Sequence, residues 1–227
     1  MKFLEKQFST IASDKYEPQS LKDLRSSAFN QFKEIGFPKK SWEAWRFTAV
    51  ENVEKNSFRL SNEADLPEDL FKSEDGLSIP TLLFLNGHYQ PDESNIPAGI
   101  KVNTLVDSYN EDAKLFNNGY DAGTNPFVIL NTAMMNSGLH IRISENTESH
   151  PPIRFLYLTT KLSEPIMNHP RLVVDVADNT QATIVEEYRG ISPISYWNNA
   201  LTMIRAGNNS NLHHVRIQNE APAASHL

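Results

Sequence analysis

Apolar and polar positions alternate most densely between residues 139 and 220. Six runs rich in Ile, Val, Leu, Thr and aromatic residues stand out: 139–143, 153–159, 172–176, 182–188, 201–205 and 212–218. Such residues suit a pleated, half-buried surface, so each run predicts a short strand. The spacers Asp178-Asn179-Thr180, 190–193 and Gly207-Asn208-Asn209-Ser210 carry the residues that turn a chain within a few positions. Sliding the chain over itself by 29 residues puts Leu172 on Leu201, Ala177 on Ala206 and Asn179 on Asn208. The shared order is strand, small residue, Asn-containing turn, strand. Repeats of this length predict a coiled β solenoid, in which each turn of chain buries a face only against its neighbours. This reading stands ahead of an ordinary β sandwich, which also spaces short strands regularly.

Before residue 138 the period is helical. Leu21, Leu24, Ala28, Phe32 and Ile35 predict an amphipathic helix over 20–35, capped by Ser20 and ended by Gly36 and Pro38. Residues 1–19 are polar and irregular, with one weak apolar set in Phe3, Leu4 and Phe8. Ser41 opens a short helix that sets Trp42 and Trp45 on one face as an aromatic anchor, with Arg46 free to stack on a ring. The polar, acidic stretch 52–76 reads as an exposed connection. Residues 79–90 predict a hairpin on the Asn86-Gly87 turn pair. A strand over 101–106 and a helix over 107–117 follow. Asn125-Pro126 then starts a strong helix, since Asn caps and Pro suits the first helical position. Two regions emerge: a mainly helical 1–137 containing a small hairpin, and a strand array over 138–227.

Composition narrows the function. The 227 residues are 39% hydrophobic, enough for a substantial core, and contain no cysteine. This chain therefore supplies no disulfide, thiolate nucleophile or cysteine cluster ligand. The net charge is −7 and no segment is basic, which argues against nucleic acid as a partner. Charges interrupt the N-terminal apolar residues at once, and no apolar run approaches a membrane span. A cytoplasmic protein without membrane contact is the expectation.

No phosphate loop, nucleophile elbow or zincin signature occurs. His213-His214 is the most tempting ligand pair, but neighbours on a strand point to opposite faces. At the 29-residue offset the pair falls over Ile184 and Val185, so one histidine faces inward and the other out. His140 sits between Leu139 and Ile141 on a strand. His88, His150 and His169 lie beside turn or proline signals and are expected on the surface. Glu186-Glu187 places one carboxylate on each face. An acid/base pair would need Asp175 and Glu186 to converge on one cleft, as in a carbohydrate-cleaving enzyme. The residues by themselves assign no catalytic, cofactor-binding or metal-binding position.

Several blocks carry a resemblance in a consistent order. They are Gly36-Phe37-Pro38 with Glu43-Ala44-Trp45-Arg46-Phe47-Thr48, the stretch from Asn125 to Ile141, His169-Pro170-Arg171, Glu186-Glu187-Tyr188, and Asn199 with Arg216-Ile217-Gln218 and Glu220. Phe47 stands where the pattern usually has tyrosine. On these blocks the chain resembles the SufD branch of the SufB/SufD family of iron–sulfur cluster assembly proteins. The resemblance implies a mostly β protein with an N-terminal helical region and a right-handed parallel β-helix, incomplete at the C-terminus. It also implies a non-catalytic scaffold subunit that binds no cofactor alone. Its partners would be a cysteine-bearing SufB-like homologue and a SufC-like ABC ATPase, with the cluster handled by the assembled complex. The family's later coils, its ATPase-binding helices and its cluster-proximal histidine and cysteine have no counterpart before Leu227. No site residue is therefore carried over, and an open end predicts self-association or a rearranged cap. A carbohydrate-active enzyme and a plain protein-interaction module are the alternatives.

Overall fold

A computed structural model describes residues 2–13, 17–48, 50–61, 79–91, 94–116, 125–145, 151–160 and 163–227. The chain opens with α1 (Lys2–Ala12), so the apolar set Phe3, Leu4 and Phe8 is one side of a helix, not an irregular lead. Then comes α2 (Gln19–Ile35). It starts one residue ahead of Ser20, and Ser20 makes no cap; Pro18 occupies the cap position. Gly36 ends it at φ 73°, its N–H bonding to the Phe32 carbonyl. A 3-10 turn over Glu43–Trp45 and α3 (Glu51–Lys55) lead to β1 (Arg59–Leu60). The rest of the stretch expected to be an exposed connection, 62–76, lies outside the described residues, as does His150.

The predicted hairpin forms from β2 (Thr81–Leu85) and β3 (His88–Gln90), with Asn86 and Gly87 both at positive φ. Next are β4 (Ile100–Thr104) and α4 (Leu105–Glu111). Thr104 caps α4, its Oγ1 accepting from Asp107 N–H at 3.1 Å, so the helix begins two residues earlier than expected. Helix α5 (Pro126–Met134) has Asn125 as its cap. Nine strands follow among the described residues: β5 (Ser137–Ile143), β6 (Ile153–Thr159), β7 (Ile166–Asn168), β8 (Pro170–Val176), β9 (Gln181–Gly190), β10 (Tyr196–Asn198), β11 (Leu201–Ala206), β12 (Asn211–Asn219) and β13 (Ala224–His226).

The strands form three sheets, ordered β11-β8-β5-β4, β12-β9-β6-β2-β3 and β1-β7-β10-β13. Most neighbours are parallel, but β2 with β3 and β4 with β5 run antiparallel. Two sheets are therefore mixed, and five α-helices stand among the described elements. The architecture is mixed α/β. It corrects the expectation of a mostly β, single-stranded, right-handed parallel β-helix. The Asn-Gly turn folds β3 back on β2, and helices carry much of the first half; neither feature belongs to a uniform solenoid. An antiparallel sandwich is equally absent from this strand order.

The repeat also differs by one residue from the sequence overlay. Arg171 pairs with Leu201, Gln181 with Asn211 and Met167 with Trp197, each an advance of 30. A slip of one residue turns every side chain to the opposite face. His214, not His213, therefore stands over Ile184.

One core lies between the first two sheets, where Ile141, Phe155, Val174 and Ile184 are fully buried. Phe84, Tyr157 and Tyr188 occupy one register across β2, β6 and β9 and stack at 4.5 Å centroid spacing. A second core joins α1, α2 and α5 to Phe58, Met167 and Trp197 beside the third sheet. A third lies on the outer side of β8, where Val173 packs with Leu21, Leu105 and Tyr109.

Candidate functional site

The sheets bring together two charged clusters from residues scattered over about eighty positions of chain. The inner cluster centres on Glu186 of β9, whose side chain is fully buried. Tyr188 Oη donates to its Oε2 at 2.8 Å, and Thr202 Oγ1 of β11 donates to its Oε1 at 2.7 Å. His214 Nε2 of β12 donates to the same Oε1 at 2.6 Å, and Arg216 approaches at 3.4 Å. Parallel pairing produces this arrangement. Glu186 and Arg216 are register partners, and His214 lies two residues earlier on the same face. Burial alone would raise the Glu186 pKa. The bonds from His214, Thr202 and Tyr188 and the positive charge of Arg216 outweigh it and hold the carboxyl down to about 2. Burial and the facing carboxylate push the Tyr188 phenol well above its ordinary value. Glu186 is a fixed anion wrapped in donors.

The outer cluster sits on the other side of β8. His140 Nε2 donates to Asp175 Oδ2 at 2.8 Å, and Arg205 binds both carboxylate oxygens. Burial opposes ionisation of Asp175, but His140 and Arg205 hold its pKa below the usual carboxylate range. Arg142, Asp175 and Arg205 share one register across β5, β8 and β11.

The sequence candidates are thus placed as follows. Asp175 and Glu186 belong to separate clusters and share no partner, so they do not form an acid/base pair. His213 is exposed while His214 faces inward onto Glu186. Glu187, on the opposite face from Glu186, is nearly buried and pairs with Arg154 and Arg189. His88 is half-buried against Ser61. His169 is not on the surface. It is fully buried, with Nδ1 accepting from Asn199 Nδ2 at 3.1 Å and its ring edge-on to Trp197. Burial pushes its pKa down to about 3, so it stays neutral. Among the described residues no group of three or more His, Cys, Asp or Glu side chains is arranged to hold a metal ion.

Sequence reading missed the buried arginines. Arg171 is 2% exposed, donating to Asn131 Oδ1 and Thr132 Oγ1 and lying 5.0 Å over the Phe116 ring. Burial, with Arg25 nearby, lowers its pKa to about 9. Arg25 pairs with Glu17 and donates to the Ala133 and Met135 carbonyls, capping the C-terminal end of α5. The signals available were the position of Arg171 directly before an apolar run and its place in the His169-Pro170-Arg171 block.

A framework of parallel ladders, its interior ions tied to each other across neighbouring strands, is the class of protein these features define. The chain belongs to the SufB/SufD family: the model of the SufBD protein N-terminal region matches residues 2–155, and that of the SUF system FeS cluster assembly SufBD core domain matches residues 157–227. An iron–sulfur cluster assembly SufBD family protein of Synechocystis sp. is 30% identical over 93% of this chain and 50% of its own length. The iron–sulfur cluster assembly protein SufD of Escherichia coli is 22% identical over 94% of this chain and 48% of its own. The chain spans about half the length of these curated relatives. Among the described residues no helix is long and apolar enough to cross a membrane.

Proposed function

We propose that this chain is a non-catalytic scaffold component of a cytoplasmic iron–sulfur cluster assembly complex. It pairs there with a cysteine-bearing SufB-type homologue and a SufC-type ABC ATPase. The observation that carries this reading is the match of both SufBD models, which together take in nearly all of the chain. The site chemistry supports it. Asp175 and Glu186 are each paired with an arginine and hydrogen-bonded by a histidine, so neither is poised as a free acid or base. Without cysteine, these 227 residues supply no thiolate ligand to a cluster. Co-expression with SufB- and SufC-type proteins tests the proposal. Recovery of a stable complex through a tag on this chain, with cluster assembly on it lowered when this chain is omitted, is the expected result. Purification of this chain from such a culture without the SufB-type protein would overturn it.

A further inference from the structure

On the side away from β11 and β12 the first two sheets end at β4 and β3. There α2, β3, α4 and the link from α5 into β5 line a cavity of about 580 Å³. Small-molecule sites occupy roughly 300–1,000 Å³. Leu60, Leu105, Val106, Met135 and Leu139 give the lining its apolar part. Val106, in the first turn of α4, stays 37% exposed there. Several polar groups of the lining are occupied with one another. Asn136 Nδ2 donates to Ser61 Oγ at 2.7 Å, and His88 Nε2 lies 3.2 Å from the same oxygen.

The charges are not balanced in the same way. Arg25 lines the cavity and is buried. Its Nε and Nη2 donate to Glu17, and its Nη1 to the Ala133 and Met135 carbonyls. Nη2 carries two hydrogens, and Glu17 Oε1 takes one of them. Arg171 stands behind the lining, since it is the register partner of Gly138. Its side chain donates to the neutral groups of Asn131 and Thr132 and lies near enough to Arg25 to feel its charge. Among the described residues, two buried guanidiniums here face one carboxylate, that of Glu17.

We infer that this cavity is a binding site for a small anionic amphiphile, a carboxylate carried on an apolar body. The apolar body covers Val106 and the leucine and methionine side chains beside it. The carboxylate takes the spare Arg25 donor and offsets a surplus positive charge that is poorly screened at this depth. A cationic ligand would add to that surplus, and a neutral one would gain the apolar contacts alone. Glu17 tempers the selectivity, because it already occupies most of what Arg25 offers to an anion. This inference does not depend on the partners proposed above.

The test compares naphthylacetate with naphthylacetamide, which has the same shape and no charge, titrated calorimetrically into the intact chain. Expected is binding of the acid roughly tenfold or more tighter than the amide, with raised salt narrowing the gap. Val106→Trp, which fills the cavity from its exposed side, should weaken both ligands. Glu17→Gln, which frees Arg25, should strengthen the acid and leave the amide as it was. A merely apolar hollow would not show that split, and the amide reports whether the cavity has kept its shape. Equal affinities for acid and amide, unchanged binding in Val106→Trp, a weaker acid beside an unchanged amide in Glu17→Gln, or no heat from either ligand at millimolar concentration would each overturn the inference.

Discussion

Two buried side chains, Glu186 and His169, make the molecule sensitive to acid. The folded pKa of Glu186 is depressed to about 2 from an ordinary 4.5, so its contribution is complete above about pH 4.5 and is lost as pH falls towards 2. His169 is also depressed, to about 3 from 6.5, because its burial favours the neutral ring. Below pH 6.5 the unfolded chain takes up a proton that folded His169 refuses, so stability declines from there down to about 3. Between pH 6.5 and 4.5 the His169 slope therefore stands alone of the two, at about 1.4 kcal/mol per pH unit. Urea midpoints collected across this range should show it, and His169→Gln should flatten it. A slope unchanged in His169→Gln would show that another group carries it. Glu186→Gln should instead cost on the order of 3 kcal/mol at neutral pH, because it leaves Arg216 and His214 facing a neutral amide. The same variant should reduce the added slope below pH 4.5, the remainder coming from Asp175, whose pKa is also held down by His140 and Arg205.

At the scale of single elements, close approach decides more than propensity. Gly138 of β5 is paired with Arg171 of β8, and a Cβ there would lie 2.2 Å from the Arg171 carbonyl oxygen and 2.4 Å from Leu105. Gly138→Ala should therefore cost about 1–3 kcal/mol in chemical unfolding, despite alanine's better fit to ordinary backbone angles. The Asn125 cap is a milder case. Its Oδ1 accepts from Phe127 N–H at 3.0 Å, and Asn125→Ala should cost about 1 kcal/mol by the same measurement. Elements with long periodic signals were legible beforehand: α2, α5, the Asn86-Gly87 hairpin and the six long strands. The elements missed are those too short to show a period. Strands β7, β10 and β13 have three residues each, and β10 with its neighbours gains its identity only from pairing. Helix α1 was missed because its single apolar stripe is meaningful only against Phe29 and Phe58, which it meets in the fold.

For the molecule as a whole, register was the quantity a linear overlay misjudged. An offset of 29 matched three identical residues, whereas the ladders advance by 30. That single step decides that His214 rather than His213 faces Glu186, and that Arg216 meets it from the next strand. Asp175 stands on the side of β8 that faces His140 through a different ladder, β5 with β8, whose advance is 33. No local pattern carries this information, because these parallel ladders join residues 30 to 33 apart through backbone bonds that are blind to side-chain identity. Ile217→Thr on the exposed β12 edge should shift stability by no more than about 0.5 kcal/mol. Equivalent polar replacement of buried Ile184 should prevent folding at physiological temperature, as read by circular dichroism.

Local chemistry written in the chain determined the strand runs, the capped helices, the Asn-containing turns and the lack of any thiolate, because each depends on a few adjacent residues. The mixed sheet order, the neutral burial of His169, the buried Arg171 and the cage around Glu186 were decided by tertiary structure alone. Each of these depends on which residue lands opposite which, and that is settled only when separate strands select a common register to bury their apolar faces together.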